Sequence, residues 1–140
     1  METLAITLTL LVMFQIKHYL IDFVIQLNDP NSMRKFDATG WFIPLLNHAS
    51  HHAFGTLAIA LMTFLHFEVL TVTLFGIALL LALGDLVIHF IMDRIKASPN
   101  MLGRYKFPMP GFFYSLGLDQ SVHHLTHYAI IGILVYVLIT

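Results

Sequence analysis

Long apolar runs dominate the chain, broken at intervals by short polar clusters. Four runs each supply about 20 or more residues, the length a helix needs to cross a hydrocarbon core of about 30 Å. They cover roughly 4–27, 41–66, 69–95 and 114–139. The pattern predicts an all-α, polytopic membrane protein of four transmembrane helices, with residues 1–140 forming a single membrane domain. The chain begins Met-Glu-Thr with no basic residue, and no small-residue cleavage site follows "LAITLTLLVMF". The first run is therefore expected to be a span and not a secretory signal.

Composition sharpens this picture. With 58% hydrophobic and 11% charged residues and a mean hydropathy of +0.80, the chain is far more apolar than a soluble domain of its length. It has no cysteine, so disulfides and thiolate ligands are excluded. A net charge of −1 gives no reason to expect a nucleic-acid partner. The basic residues are unevenly placed: Arg34, Lys35, Arg104 and Lys106 follow the first and third runs, Arg94 and Lys96 end the third, and only Lys17 lies inside a run. By the positive-inside rule both termini are expected outside and the two long loops in the cytoplasm.

Sliding the sequence on itself reveals a gapless offset of 71 residues. His18 falls on His89, Asp22 on Asp93, Lys35 on Lys106, Phe36 on Phe107, Gly40 on Gly111, Phe42 on Phe113, Leu45 on Leu116, Ser50 on Ser121 and His52 on His123. That is nine identities in 35 positions, where composition alone gives roughly two or three. The fold expected is two parallel-repeat helical hairpins, about 1–67 and 68–140, related by an axis along the membrane normal, with function at their interface. Packing alone would have preserved apolar positions, yet many of the matched residues are polar.

The repeated polar residues form a set. The first helix of each hairpin carries H-x3-D, as His18/Asp22 and His89/Asp93; the second carries His48/His52 and Asp119/His123. Residues at i,i+4 share one helix face, and all eight lie at the same expected depth. A charge at mid-bilayer costs roughly 2.5–3.5 kcal/mol on insertion scales, so these groups are expected to face one another. Five imidazoles and three carboxylates make a mixed N/O set suited to one or two divalent ions, zinc first, with iron or manganese as alternatives. Any one pair alone reads sooner as a hydrogen-bonded interhelical contact than as a metal site; four pairs at matching depth reverse that.

Other polar residues fall outside this set. Asp85 and His127 each lie one turn deeper than a ligand pair and are expected to contact the ligands or pair with each other, in a structural hydrogen bond or a proton relay. Gln26 and Gln120 are assigned the same supporting role. His51 and His124 point about 100° away from their ligand neighbours and read as spare histidines. Lys35, Lys96 and Lys106 stand where an anionic substrate group would need a cation, although basic loop residues also serve topology and attraction to anionic lipid. Trp41, Phe42, Phe112, Phe113 and Tyr114 fit an interfacial aromatic belt.

The ordered motifs H-x3-D-F-x2-Q at His18 to Gln26, H-A-x2-H at His48 to His52, H-x3-D-x2-K at His89 to Lys96 and D-Q-x2-H at Asp119 to His123 resemble the small membrane protein family called domain of unknown function 3307. The match covers nearly the whole chain. It implies a bacterial or phage-encoded inner-membrane protein, but no particular reaction.

The reading from the residues is a metal-dependent membrane enzyme, foremost a hydrolase of an amphipathic or lipid-linked (phospho)ester. Asp22, Asp93 and Asp119 are the candidate catalytic carboxylates, and the partners expected are the lipid bilayer and an anionic substrate. Two alternatives stay open. "HASHH" has the H-x2-H-H form of di-iron oxidases and hydroxylases. Intramembrane carboxylates in repeated hairpins also suit a metal or proton carrier, which with so few helices would call for a homo-oligomer, or a regulatory membrane subunit.

Overall fold

A computed structural model describes residues 2–37 and 39–140, and every regular element among them is helical. Helix α1 runs Glu2–Asn28. It is α-helical to Tyr19, π-helical over Leu20–Ile25, and closes with one α turn at Gln26–Asn28. Helix α2 spans Phe42–His66, α3 Val72–Ala97 and α4 Pro110–Ile139.

Among the described residues, three segments are long and apolar enough to cross a membrane: Glu2–Asn28, Val72–Arg104 and Pro110–Ile139. They are the helices of a membrane protein. Helix α2 matches them in length at 25 residues, but Asn47, His48, Ser50, His51 and His52 make its first half polar. On α1 the residues Leu4, Leu8, Val12, Ile16 and Leu20 are all exposed, a stripe at every fourth position that suits a lipid-facing surface.

The interior divides into two halves. Phe14, Ile59, Phe64, Ile130 and Leu134 belong to one apolar cluster, built from the first half of α1 and the second halves of α2 and α4. The polar residues occupy the other half. In lipid, helices gain no hydrophobic energy by touching, so packing and interhelical polar contacts hold the bundle together. Helices α2 and α3 pack most extensively, and buried Ala53, Ala60, Ala78 and Ala82 allow their backbones a close approach. Thr71 starts α3 by accepting the Leu74 N–H at 3.2 Å.

The loop after α1 carries a lysine into the polar half. Asp29 accepts the Asn31 N–H at 2.9 Å and the Ser32 hydroxyl at 2.9 Å, and these bonds, the Asn31 one foremost, hold its carboxyl below the usual carboxylate range. The turn leads into a 3-10 helix, Ser32–Phe36, from which Lys35 points inward and is buried. Gly40, at φ 72, takes the left-handed conformation that only glycine adopts without strain, turning the chain into α2.

Candidate functional site

All eight residues that the repeated motifs single out are buried or nearly so. Asp22 has the most open side chain, at 15% exposure. Its two oxygens divide three histidines between them. Oδ1 lies 3.0 Å from His52 Nε2 and 3.2 Å from His48 Nε2, and Oδ2 lies 3.1 Å from His18 Nε2. The π-helical stretch brings this about locally: the Gln26 N–H bonds to Ile21 O, one residue further back than in an α-helix, so the α1 backbone is rewound around Asp22. Such segments recur at functional sites.

A second cluster adjoins the first through His48, whose Nε2 is also 3.1 Å from Asp93 Oδ2. Asp93 Oδ1 faces His123 Nε2 at 3.3 Å, and His123 Nε2 is 3.2 Å from Asp119 Oδ1. The contacts Asp22–His52 and Asp93–His123 fall on positions related by the 71-residue offset. His89 behaves differently. Its Nδ1 donates one turn back to the Asp85 carbonyl at 3.0 Å and lies 3.0 Å from Asp85 Oδ1.

Lysines neutralise three of the four buried carboxylates. Lys35 Nζ donates to Asp93 at 2.8 Å and to Gln26 Oε1 at 2.6 Å. Lys96, with a side chain 28% exposed, pairs with Asp119. Lys17 Nζ donates to Asp85 Oδ2 at 2.8 Å, Thr56 Oγ1 at 2.9 Å and His127 Nε2 at 3.1 Å. Asp22 alone has no lysine or arginine partner among the described residues. It meets imidazoles only.

The deep cluster around Lys17 was only half visible in the sequence. Asp85 and His127 are fully buried, but their closest atoms are 3.8 Å apart and the ammonium of Lys17 joins them. Thr56 completes the cluster, donating to Asp85 Oδ2 at 2.5 Å. The available signal was Lys17 itself, the one basic residue inside an apolar run. Gly55 makes the arrangement possible, because a Cβ there would lie 2.8 Å from Lys17 Cγ and 2.9 Å from Cδ.

The imidazole rings crowd together. The His89 ring centroid is 3.8 Å from that of His52 and 4.0 Å from that of His123, with both pairs stacked. Among the described residues, six buried imidazole nitrogens make no well-directed hydrogen bond: His18 Nδ1, His48 Nε2, His52 Nδ1, His89 Nε2, His123 Nδ1 and His127 Nδ1. Buried polar atoms almost always find a partner, and a group of orphans points to water or an ion between them. Three sets have ligand atoms within 4.8 Å of one another: His18/Asp22/His52, Asp93/Asp119/His123 and His18/His89/His127.

The remaining candidates take various places. Gln120 accepts from His18 Nε2 at 3.1 Å and donates to Asp119 at 3.1 Å. His51 and Lys106 are exposed, and His124 Nδ1 meets Gln15 Nε2 at 3.1 Å. The Arg94 guanidinium stacks 3.8 Å over the Trp41 ring. Comparison with protein families, curated proteins and solved structures gives no match.

Proposed function

We propose that this chain is a four-span membrane enzyme that holds a divalent ion, foremost zinc, at Asp22, His48 and His52, and hydrolyses an amphipathic, anionic ester or phosphoester at the cytoplasmic leaflet. One observation carries this reading: Asp22 is the buried carboxylate without a lysine, and two imidazole Nε2 atoms meet the same oxygen of it. Two ligands at about 2.1 Å from a common ion stand about 3.0–3.4 Å apart. The distances of 3.0 and 3.2 Å from Asp22 Oδ1 fit that spacing for each histidine against the carboxylate, although the ligand atoms gathered within 4.8 Å of one another around Asp22 are those of His18, Asp22 and His52. His48 Nε2, near two carboxylates yet without a well-directed hydrogen bond, fits a lone pair aimed at an ion.

A two-histidine, one-carboxylate set leaves coordination positions free, as catalytic zinc sites do. Asp22, His48 and His52 would hold the ion, which would supply a coordinated water of lowered pKa and polarisation of an ester or phosphoryl oxygen. The protein's own groups do the rest. His18 Nε2, 3.1 Å from Asp22 Oδ2, lies against the other oxygen of that carboxylate and helps to set its orientation. Asp93, across His48 from Asp22 and paired with Lys35, holds the His48 ring in place. Lys96, partly exposed beside Asp119, offers a cation to an incoming anionic group. The open edge of Asp22 gives a small polar group access to the centre.

The test uses the purified full chain in detergent. Hydrolysis of a micellar phosphoester should fall on chelation, return with zinc and be absent in Asp22→Asn. A chelation-insensitive activity, or undiminished zinc in Asp22→Asn, overturns the reading. The unbroken polar file from Lys96 through Asp119, His123, Asp93 and His48 to Asp22 also supports a second reading, ion or proton carriage. Metal-stimulated flux in proteoliposomes without hydrolysis in detergent would select it.

A further inference from the structure

The three-histidine group at the inner end of the polar half shares His18 with the Asp22 centre, through the ring's other nitrogen, and adds His89 and His127, which that centre leaves free. His18, His89 and His127 are 3%, 0% and 0% exposed and come from three different helices. Their ligand atoms gather within 4.8 Å. Each ring has one nitrogen engaged and the other without a partner. His18 Nε2 faces Gln120 Oε1 and Asp22, leaving Nδ1; His89 Nδ1 faces Asp85, leaving Nε2; His127 Nε2 faces Lys17, leaving Nδ1.

We infer that His18, His89 and His127 form a second metal site, all-imidazole and deeper than the Asp22 centre. Metal-binding histidines characteristically have the far ring nitrogen fixed by a carboxylate, a carbonyl or another polar group, which sets ring orientation. His18 and His89 are fixed in this way, by Gln120 Oε1 and by the Asp85 carbonyl, and the Lys17 ammonium holds the His127 ring through Nε2. The acceptors facing His18 Nε2 and His89 Nδ1 place the ring protons on those atoms, so His18 Nδ1 and His89 Nε2 present lone pairs.

His127 differs, because the Lys17 ammonium can only donate. The His127 proton therefore sits on Nδ1; for that atom to coordinate, the proton leaves to water while the Lys17 ammonium passes one of its own to His127 Nε2, so the ring stays a neutral ligand and Lys17 becomes a neutral amine that accepts from it. One proton leaves for each ion bound. Three neutral nitrogens with no carboxylate among them suit zinc(II) or a copper ion and disfavour magnesium and calcium, which take oxygen ligands.

The test is zinc per chain, by elemental analysis, after the full-length protein in detergent has been equilibrated with zinc chloride and desalted. The wild type should hold two equivalents, Asp22→Asn one, His127→Asn one and the double variant none. His89→Asn serves as a second variant for the deep site, and circular dichroism with size exclusion shows whether each variant keeps its fold. Titrating zinc into Asp22→Asn in weak buffer should release one proton per ion. The inference is overturned if His127→Asn and His89→Asn, both folded, hold as much zinc as the wild type. It is also overturned if Asp22→Asn alone removes all the zinc, a result that leaves the Asp22 centre standing. Loss of zinc in His127→Asn with none lost in Asp22→Asn gives the converse, supporting the deep site and refuting the Asp22 centre.

Discussion

Replacing Lys17 with methionine isolates the charge that holds the deep cluster together. The methionine stem still lies against Gly55, so little packing is lost. The ammonium goes, with its bonds at 2.8, 2.9 and 3.1 Å to Asp85, Thr56 and His127. Asp85, whose side chain is 0% exposed, keeps only the Thr56 hydroxyl and the His89 ring. Breaking a buried ion pair from one side costs about 3–5 kcal/mol. For a chain of this size each kcal/mol lowers Tm by about 4 °C, so Lys17→Met should melt on the order of 12–20 °C below the wild type in the same detergent. Adding Asp85→Asn removes the stranded charge. Because replacing both members of a buried pair is often near neutral, the double variant should recover most of the loss, with coupling of about 2 kcal/mol or more. Lys17→Met within about 1 kcal/mol of the wild type, or two substitutions that simply add, would refute the idea that Lys17 is the counter-charge of Asp85.

Two further expectations rest on local geometry. Gly55→Ala should cost about 1–3 kcal/mol by overpacking against the Lys17 stem, and the penalty should vanish in a Lys17→Ala background; a penalty that persists there would place the clash elsewhere. Thr71→Ala should cost about 1 kcal/mol by removing the helix cap that accepts the Leu74 N–H, and faster amide exchange confined to the first turn of α3 would report it, whereas unchanged exchange would show that the cap contributes nothing.

Much of the arrangement was legible from spacing. The i,i+4 rule places His18 by Asp22 at 3.1 Å and Asp119 by His123 at 3.2 Å, and helix depth brings residues of the second and fourth runs to the same level. The rule misled at His89, where Asp85, four residues back, takes the ring nitrogen that Asp93 was expected to share. Periodicity does not say which of two flanking carboxylates an imidazole will choose. Lys35 was readable as a cation near the centre, but not as a buried one, because its position depends on the Asp29 turn and the 3-10 helix that follows. The π-helical stretch left no signal in the apolar pattern at all. It changes the backbone's winding without changing which residue types are apolar.

The places where the 71-residue correspondence fails have a consequence for chemistry. Lys17 corresponds to Ile88, Asp85 to Phe14 and His127 to Thr56, so the deep cluster is assembled from positions at which the two halves differ. Asp85 draws His89 away from Asp93, and Lys35 then occupies Asp93 as its counter-charge. The equivalent lysine of the other half, Lys106, is exposed, which leaves Asp22 with histidines as its only strong partners. A bundle with matched ligands in both halves would offer two equivalent sites. Here a few substitutions below the ligand layer leave one carboxylate facing imidazoles, while its counterpart is tied down by an ammonium. If Asp22 holds a cation as proposed, its advantage over Asp93 would follow from residues that need not touch the ion.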